Sequence, residues 1–440
     1  PQAIRPYTEQ HKEGKIMKIK RTLLPFVALC AAISVLAGLG GCTSGIKAQN
    51  LMVGIVANSA QKADADEDFS RGFSLRLFSD TAKSGQKSGN ILVSPFCVNT
   101  VLSMTANGAN GKTLEELSGA LANGMDINRL NAYYNAFLAG LKEEEKCKMT
   151  SSGSIWFKDD KALNVKQDFL QKNADFYRSE IYKAKFDKST ADDINLWVKK
   201  NTDGMIEKII DEISPESMMY LISTLCFDAE WEDPYFGSTA WEFTSLSGEK
   251  RTVQMMIGDE YSYIDDGKST GFTKRYYGGK YSFVALLPNE DISMYDYIEY
   301  LASIDEERLL GYTTDTQDTM VQTGLPKFKF DYSAELTESL KEMGINRAFD
   351  PLSADFSGMN ETGDLPLYIG GVIHKTFIEV DEQGTRAAAA AAVKMEAGAA
   401  MPADDVKEVI LDRPFVFMIT DTATGIPMFM GAVTDITENV

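Results

Sequence analysis

An alanine-rich stretch near the C-terminus, residues 382–401 (EQGTRAAAAAAVKMEAGAAM), constrains the fold more than any other segment. Alanine has the highest helix propensity, so composition alone favours an alanine-rich helix or a flexible linker. Side-chain alternation favours a strand. Arg386, Lys394 and Glu396 all occupy even positions, whereas the odd positions over 385–397 carry only Thr, Ala, Val and Met. Because alternate residues of a strand share a face, this stretch can enter a packed sheet with its small, uncharged face inward.

Composition bounds the class of protein. The 440 residues carry a formal net charge of −20, and 44% are hydrophobic and 25% charged. These proportions are ordinary for a soluble globular protein, so most of the chain should fold, as one large domain or about two to three smaller ones. The acidic balance argues against a nucleic-acid partner, because phosphate binding requires clustered Lys and Arg.

The N-terminal region predicts export. Residues 1–16 are polar and aperiodic, and we expect them to lie upstream of the mature protein. Residues 17–41 are predicted to be a signal peptide, with Lys18, Lys20 and Arg21 before an apolar run too short to span a membrane. The Leu-Gly-Gly-Cys that follows resembles a bacterial lipobox, in which Cys42 would carry a lipid anchor; the alternative is a plain secretory signal. Either interpretation places the protein in the cell envelope, on a periplasmic or surface face of the outer membrane, or outside the cell.

Residues 42–68 are predicted to be a solvated tether. Asp64–Asp68 is similar to the start of a calcium-binding EF-hand loop, but Phe69 occupies the place of the required glycine, so no metal site is expected. Three further cysteines show no C-x-x-C spacing, which disfavours a zinc site or a disulfide framework. They are Cys97, Cys147 and Cys226. The first and last lie among apolar residues and are predicted to be buried thiols.

The order of elements over residues 69–440 predicts the fold class. Met218–Phe227 is an almost unbroken apolar run, typical of a central strand buried on both faces. Helices precede strands without regular βαβ alternation, which predicts an α+β fold. The predicted helices lie around 69–78, 95–105, 130–141, 169–177, 194–206 (with Trp197 inward and Gly204 as its C-cap) and 334–343, and one opens with a capping box at Thr113–Glu116. The other predicted strands lie around 90–94, 253–256, 281–287, 321–330, 367–380, 415–419 and 428–433.

Histidine content bears on enzymatic function. His11 lies outside the predicted mature protein, so a Ser-His-Asp or Cys-His system would depend on His374. His374 lies within a predicted strand, where we expect a hydrogen-bonded core imidazole rather than a general base. The sequence contains no G-x-S-x-G elbow, no H-E-x-x-H, no P-loop and no plausible G-x-G-x-x-G unit. An enzyme is therefore the weaker hypothesis.

Several separated motifs occur in one order over residues 69–436 and resemble those of the serpin family. They are NILVSP at 90–95, INLWVKKNTDGMI at 194–206, LCFDAEW at 225–231, VQMM at 253–256, LPKF at 325–328, LKEMG at 340–344, ADFSG at 354–358, FIEVDEQGT at 377–385, RPFVF at 413–417 and MFMGAV at 428–433. The resemblance implies a single serpin domain over 69–440. Its helices would pack on a large central mixed sheet, and further sheets would support an exposed reactive-centre loop at about 382–410.

The family resemblance also implies a function. Most serpins inhibit serine proteases, and some inhibit cysteine proteases, by offering a loop that the protease cleaves and that then inserts into the central sheet with the protease bound as an acyl-enzyme. On this interpretation the protein is an irreversible inhibitor that acts as a monomer and requires no cofactor. The alternative is a non-inhibitory serpin-fold surface or binding lipoprotein whose loop is only cleaved.

The resemblance assigns two groups of residues. The hinge of the loop would comprise Glu382, Gly384, Thr385, Ala387, Ala388, Ala389 and Ala390. The sheet-opening cluster would comprise the polar residues Ser94, Cys97, Ser223 and His374 beneath the sheet opening, and Trp231 as the aromatic residue at the insertion point. Cys97 and Ser223 depart from the family, in which a serine and an asparagine are usual, and Arg386 replaces a common glutamate.

The scissile bond is expected at Gly398–Ala399 from the usual spacing after Glu382. The segment between Gly384 and Pro414 is about five residues longer than usual, so the window extends from Lys394 to Met401. It includes Met395, Glu396, Ala397 and Ala400. Its small or unbranched residues suit elastase- or subtilisin-like proteases. Lys394 is a trypsin site, but cleavage there would leave a shorter strand to insert.

Overall fold

The apolar run at the centre of the sequence forms a largely buried strand of 12 residues in a large sheet. The computed structural model describes residues 45–58, 70–84, 89–141, 146–314, 319–362, 365–385 and 406–437. The strands are β1 (Gln49–Asn50), β2 (Ile91–Val93), β3 (Cys147–Lys158), β4 (Glu180–Ala184), β5 (Met219–Glu230), β6 (Ser238–Thr244), β7 (Lys250–Glu260), β8 (Tyr263–Asp265), β9 (Ser269–Arg275), β10 (Tyr281–Pro288), β11 (Val321–Pro326), β12 (Phe328–Glu335), β13 (Ile369–Val380), β14 (Gly384–Thr385), β15 (Lys407–Ile410), β16 (Phe415–Asp421) and β17 (Pro427–Val433).

Helices cover the faces of the sheets. They are α1 (Ser70–Ser84), α2 (Pro95–Ala106), α3 (Gly111–Ala122), α4 (Ile127–Gly140), α5 (Gln167–Tyr177), α6 (Lys188–Asn201), α7 (Met294–Ser303), α8 (Glu306–Thr314), α9 (Thr337–Glu342) and a 3-10 turn at Arg347–Phe349. Every residue of α2 is buried, because this helix packs beneath the large sheet. Ser94 caps α2 by accepting a hydrogen bond from the Cys97 amide, and Pro95 begins the helix where no N–H is needed.

The strands form three sheets. The seven-stranded sheet has the order β1-β4-β3-β5-β14-β13-β12, the six-stranded sheet β2-β17-β16-β10-β9-β8, and the four-stranded sheet β15-β11-β7-β6. One hydrophobic core packs between the sheets and α2, while a separate cluster lies beneath α6, where Trp197 is buried. Gly45–Val440 forms one compact unit. Of the helices in the described ranges, none combines the length and the apolar character that crossing a bilayer requires.

The α+β prediction is confirmed, but several local predictions are wrong. The helix predicted to open at Thr113 begins at Gly111, and Thr113 instead accepts a hydrogen bond from the Asp355 amide, 3.0 Å away. The strand predicted over 321–330 is two strands in different sheets. The helix predicted from Ala334 begins at Thr337, since Ala334 still pairs with His374 in the sheet.

The predicted helix over 194–206 begins at Lys188 and ends at Asn201. Its C-cap is Thr202 rather than Gly204. Gly204 follows in the left-handed region, with φ of +79°, and its amide donates to the Lys199 carbonyl at 2.8 Å. A glycine is favoured here because the chain reverses, although the helix has already ended.

The prediction of a solvated tether is wrong over residues 46–52, which pack against the large sheet and α6. β1 pairs antiparallel with β4 at the edge of the large sheet. The amides of Lys47 and Ala48 donate to the Asp193 carboxylate on α6 at 3.0 and 2.8 Å. A two-residue strand has no periodicity from which to predict it. The other residues of the predicted tether, 42–44 and 59–68, lie outside the described residues. The predicted signal peptide and Cys42 do so as well.

Candidate functional site

The large sheet is incomplete between its two central long strands. β5 and β13 run parallel and pair from Ile369–Met219 to His374–Ser223. Each strand continues, β5 paired on its other side with β3 as far as Ala229, and β13 paired with β12 as far as Val380. Above His374 and Ser223 the two strands are no longer partners of each other. A gap therefore lies between the facing edges of β5 and β13 beyond this point. Strand edges can pair with a further strand.

The hinge residues close the open end of this gap. In β14, Gly384 pairs antiparallel with Glu230 and Thr385 pairs with Ala229, while Thr385 also pairs with Val380 of β13. A side chain on Gly384 would place its Cβ 2.0 Å from the Ala229 carbonyl oxygen, so only glycine fits between these backbones. The hinge is thus already the first step of a strand between β5 and β13.

A short aromatic segment after β5 clamps the hinge. The Trp231 amide donates to the Gln383 carbonyl at 2.7 Å, and its indole N–H donates to the Asp381 carbonyl at 3.0 Å. The Tyr235 amide donates to the Glu382 carbonyl at 2.9 Å. These hydrogen bonds hold the hinge backbone and do not depend on the hinge side chains, because all three acceptors are backbone carbonyls.

Tyr276 completes the support of the hinge from the core. Its ring stacks on Trp231 with centroids 4.5 Å apart, and its hydroxyl lies 2.6 Å from the Thr385 hydroxyl. Burial raises the pKa of Tyr276 well above its usual value, so the phenol is neutral and can serve as donor or acceptor to Thr385. Thr385 is buried, which identifies the inward face of the hinge strand.

Glu382 anchors the hinge from the outer side. Its carboxylate accepts from the Ser238 hydroxyl at 2.8 Å and pairs with Lys327 at 3.1 Å. Burial opposes ionisation of this carboxyl, but hydrogen bonds from its own backbone amide and from these two partners outweigh that effect and lower the pKa of Glu382. The carboxylate is therefore charged and held at neutral pH.

A polar cluster lies at the opposite, paired end of the gap. His374 is fully buried, its Nε2 accepts a hydrogen bond from the Ser94 amide at 2.9 Å, and its Nδ1 lies 3.3 Å from the Ser223 hydroxyl. Burial lowers the pKa of His374 to about 4, so the imidazole is neutral at pH 7. An Nε2 that accepts from an amide cannot carry the proton, so Nδ1 does, and it donates to Ser223.

Cys97 belongs to the same cluster. Its thiol lies 3.3 Å from the Thr224 carbonyl oxygen and 3.4 Å from the Ser151 hydroxyl. Burial raises the pKa of Cys97 to about 11, so the thiol stays protonated and unreactive. The prediction of buried thiols is confirmed for Cys97 and Cys226.

The structure therefore divides the predicted sheet-opening group. Ser94, Cys97, Ser223 and His374 come together, whereas Trp231 stands at the hinge end of the gap. Ala387–Ala390 and the predicted scissile window from Lys394 to Met401 lie outside the described residues. Sequence reasoning missed Tyr235 and the contacts of Lys327, although LPKF was among the motifs. Within the described ranges, no group of three or more His, Cys, Asp or Glu side chains could hold a metal ion.

Comparison with known proteins agrees with this architecture. The family model "Serpin (serine protease inhibitor)" matches residues 69–436. Leukocyte elastase inhibitor A of Mus musculus is 30% identical over 379 residues, which cover 82% of this chain and 97% of the mouse protein. An uncharacterized serpin-like protein of Thermococcus kodakarensis is 29% identical over 366 residues, covering 82% of this chain and 83% of the archaeal one.

Solved structures are similar over the same region. The native state of tengpin, a thermophilic serpin, superposes with a TM-score of 0.81 at 41% identity and covers 88% of this chain and 100% of tengpin. Its latent state gives 0.73 at 37% identity, with coverages of 87% and 100%. The chain belongs to the serpin family, whose members are mostly protease inhibitors rather than enzymes.

Proposed function

We propose that this protein is a suicide-substrate inhibitor of serine endopeptidases, which traps the protease when its cleaved loop inserts between β5 and β13. The observation that carries the proposal is the gap, which is already entered by Gly384 and Thr385 at one end and closed by paired strands at the other. Insertion would satisfy the strand edges on both walls, which is a source of free energy for the transition.

The observed register predicts where each inserted residue would lie. Continuing the pairing of β14 along β5 brings Ala391 opposite Ser223, and continuing it along β13 brings Ala391 opposite His374. Ser223 and His374 are themselves partners in the structure. The two extrapolations, made from different strands, therefore agree. Five residues, Arg386–Ala390, would fill the existing gap, and further insertion would have to separate His374 from Ser223.

The facing of the side chains fits the same register. Because Thr385 points inward, the odd loop positions would also face the core. Ala387 would come between Phe227 and Ile378, both buried. The even position Arg386 would come between Asp228 and Glu379, whose opposite charges suit it.

The target is proposed from the loop sequence. Gly398–Ala399 and its small neighbours suit elastase- or subtilisin-like proteases, and a relative of this chain carries the name leukocyte elastase inhibitor. Cleavage by trypsin at Lys394 would leave about four fewer residues to insert than cleavage after Gly398, which shortens the strand by about 13 Å. We expect less covalent complex with trypsin than with elastase.

A titration tests the function. The protein is mixed with pancreatic elastase, subtilisin and trypsin, and the products are resolved on denaturing gels and by mass spectrometry. A complex that survives denaturation, with a released C-terminal peptide whose mass fixes the scissile bond, is the expected result. Loop cleavage that leaves the proteases fully active would refute inhibition and favour a non-inhibitory binding protein.

We further propose that the protein is exported and lipid-anchored through Cys42. The support is the signal-like sequence over residues 17–41 and the Leu-Gly-Gly-Cys that ends it. Expression in a bacterial host, followed by mass spectrometry of the N-terminal peptide, tests this. We expect acyl chains on Cys42 and their loss, with release of soluble protein, in Cys42→Ser.

A further inference from the structure

A buried ion pair lies next to the hinge clamp. The ammonium of Lys274, at the end of β9, is 2.6 Å from the carboxylate of Glu260, at the end of β7. The side chains are only 5% and 16% exposed. Lys327–Glu382 at the hinge is somewhat more exposed, at 17% and 22%, and Lys250–Glu242 is far more solvated, with both side chains above 60% exposure. Burying two charges is costly unless the geometry is good, so this pair requires an explanation.

The cation also contacts the clamp. Lys274 Nζ lies 4.4 Å from the ring centroid of Tyr235 and 5.7 Å from that of Trp231. A desolvated ammonium at these distances attracts aromatic rings. Trp231 and Tyr235 supply the hydrogen bonds to the carbonyls of Asp381, Glu382 and Gln383 that hold the hinge. Lys274 thus contacts the two residues that hydrogen-bond to the hinge backbone.

The anion depends on this cation in turn. Burial raises the pKa of Glu260, Lys274 opposes that effect, and the nearby carboxylates of Asp233 and Asp259 add to it. Lys274 is therefore the cation that favours the charged form of Glu260. The pair also joins two sheets, since β9 belongs to the six-stranded sheet and β7 to the four-stranded one, and its cation contacts the aromatic segment that follows β5.

We propose that Lys274 and Glu260 are positioning residues for loop insertion: they hold Trp231 and Tyr235 against the hinge, so that insertion stops at Thr385 until the loop is cleaved. The effect on loop insertion rests on the proposed inhibitory function, whereas the positioning of Trp231 and Tyr235 by the ion pair does not. Loosening the pair would free the hinge carbonyls and let the uncleaved chain continue into the gap.

Hydrogen exchange tests the structural content without a protease. In E260Q and K274M, we expect the amides of Trp231 and Tyr235 to exchange at least about tenfold faster, because removing one partner leaves the other unpaired and buried. Amides of β10 should keep their wild-type rates. E242Q, which breaks the exposed pair with Lys250, is the matched control and should change neither set. Unchanged exchange at Trp231 and Tyr235, or equal acceleration throughout the protein, would overturn the proposal.

A double variant protects the test against misfolding. K274M/E260Q removes both charges, and neutral replacements of a buried pair commonly retain stability. We expect this variant to fold and still to exchange faster at Trp231 and Tyr235, because the cation over their rings is gone. Wild-type exchange at both amides in the folded double variant would contradict the positioning role.

The functional consequence is measured separately. Wild type and the double variant are stored at 37 °C, and complex formation with elastase is measured over time. We expect activity to decay at least about fivefold faster in the variant, with equal complex yields in fresh samples. If fresh wild type forms no complex, the inhibitory function fails while the exchange result still decides the positioning role. Equal decay rates would refute the coupling between the pair and insertion.

Discussion

The two ends of the gap between β5 and β13 are held in different ways. At the hinge end, Trp231 and Tyr235 bind backbone carbonyls of the loop itself. At the far end, His374 accepts from the Ser94 amide and contacts the Ser223 hydroxyl. None of these three residues belongs to the loop. The hinge end can therefore guide the first inserted residues, whereas the far end can only resist the later ones. If the proposed function is correct, this difference predicts that insertion of the cleaved loop starts readily and is limited where β5 and β13 must part.

The largest expected effect concerns the stretch between the two ends. Ala387→Glu would place a carboxylate between Phe227 and Ile378 in the inserted state. A cost of about 3 kcal/mol for burying it corresponds to a loss of about a hundredfold in the preference for insertion over release. We expect cleaved inhibitor and free protease on denaturing gels instead of covalent complex.

Its matched control is the neighbouring residue on the outer face. Arg386→Gln should retain most of the complex, because this position lies between two partly exposed acids. Equal yields for Ala387→Glu and wild type would show that the odd face does not enter the core.

The far end should give the protein a pH dependence. The folded pKa of His374, about 4, is below its unfolded value of 6.5, so the unfolded chain binds the extra proton first. The contribution to stability is present above pH 6.5 and is lost as pH falls from 6.5 to 4, by about 3 kcal/mol in all. Buried Glu260, with a raised pKa, acts in the opposite direction.

Urea denaturation at pH 7 and pH 4.5 measures this effect, and the comparison of wild type with His374→Gln isolates it. We expect the loss of unfolding free energy on acidification to be smaller in His374→Gln. If the loss of unfolding free energy between pH 7 and pH 4.5 is the same in wild type and His374→Gln, groups other than His374 cause the pH dependence.

At the hinge end, Gly384→Ala tests the close approach of the backbones. The added Cβ would meet the Ala229 carbonyl oxygen at 2.0 Å and the Glu230 Cα at 2.8 Å, so the hinge must leave its place. We expect a destabilisation of about 1–3 kcal/mol in thermal or urea unfolding. Gly119→Ala is the control, because no atom lies within 4 Å of its added Cβ and alanine favours the helix. A neutral Gly384→Ala would contradict the pairing of β14.

The smallest effect is expected at Glu382. Glu382→Gln removes the charge that pairs with Lys327 but leaves an oxygen for Ser238. Both side chains are about a fifth exposed, so a destabilisation of about 1 kcal/mol is expected in urea unfolding. Lys329→Gln, which breaks the more exposed pair with Glu379, should cost less. A larger loss of unfolding free energy in Lys329→Gln than in Glu382→Gln would contradict the anchoring role of the Glu382–Lys327 pair.

The sequence predicted the fold class because the order of helices and strands follows from local patterns. The strand over 218–227 follows from an apolar run, and the helix predicted around 95–105 begins at Pro95. Long-range pairing decided the features that were missed. β1 pairs with residues more than 130 positions away in sequence, as in Gln49 with Lys183, and the Thr113 hydroxyl accepts from the Asp355 amide. Neither partner can be found from local periodicity.

The same limit applies to the site. His374, Ser94 and Ser223 were grouped through the family resemblance, and the structure places them within hydrogen-bonding distance. Trp231 was assigned by the same resemblance to the insertion point, and it lies at the hinge end of the gap, where it donates to the Asp381 and Gln383 carbonyls. The clamp by Tyr235 depends on backbone hydrogen bonds, which leave no signature in residue type.

A crystal structure of the protein after elastase has cleaved the loop tests the register of insertion directly. We expect a new strand between β5 and β13, with Ala391 between Ser223 and His374, Arg386 between Asp228 and Glu379, and the His374–Ser223 contact broken. A cleaved protein in which β5 and β13 keep their pairing at His374 and Ser223, with no strand beyond Thr385, would contradict it.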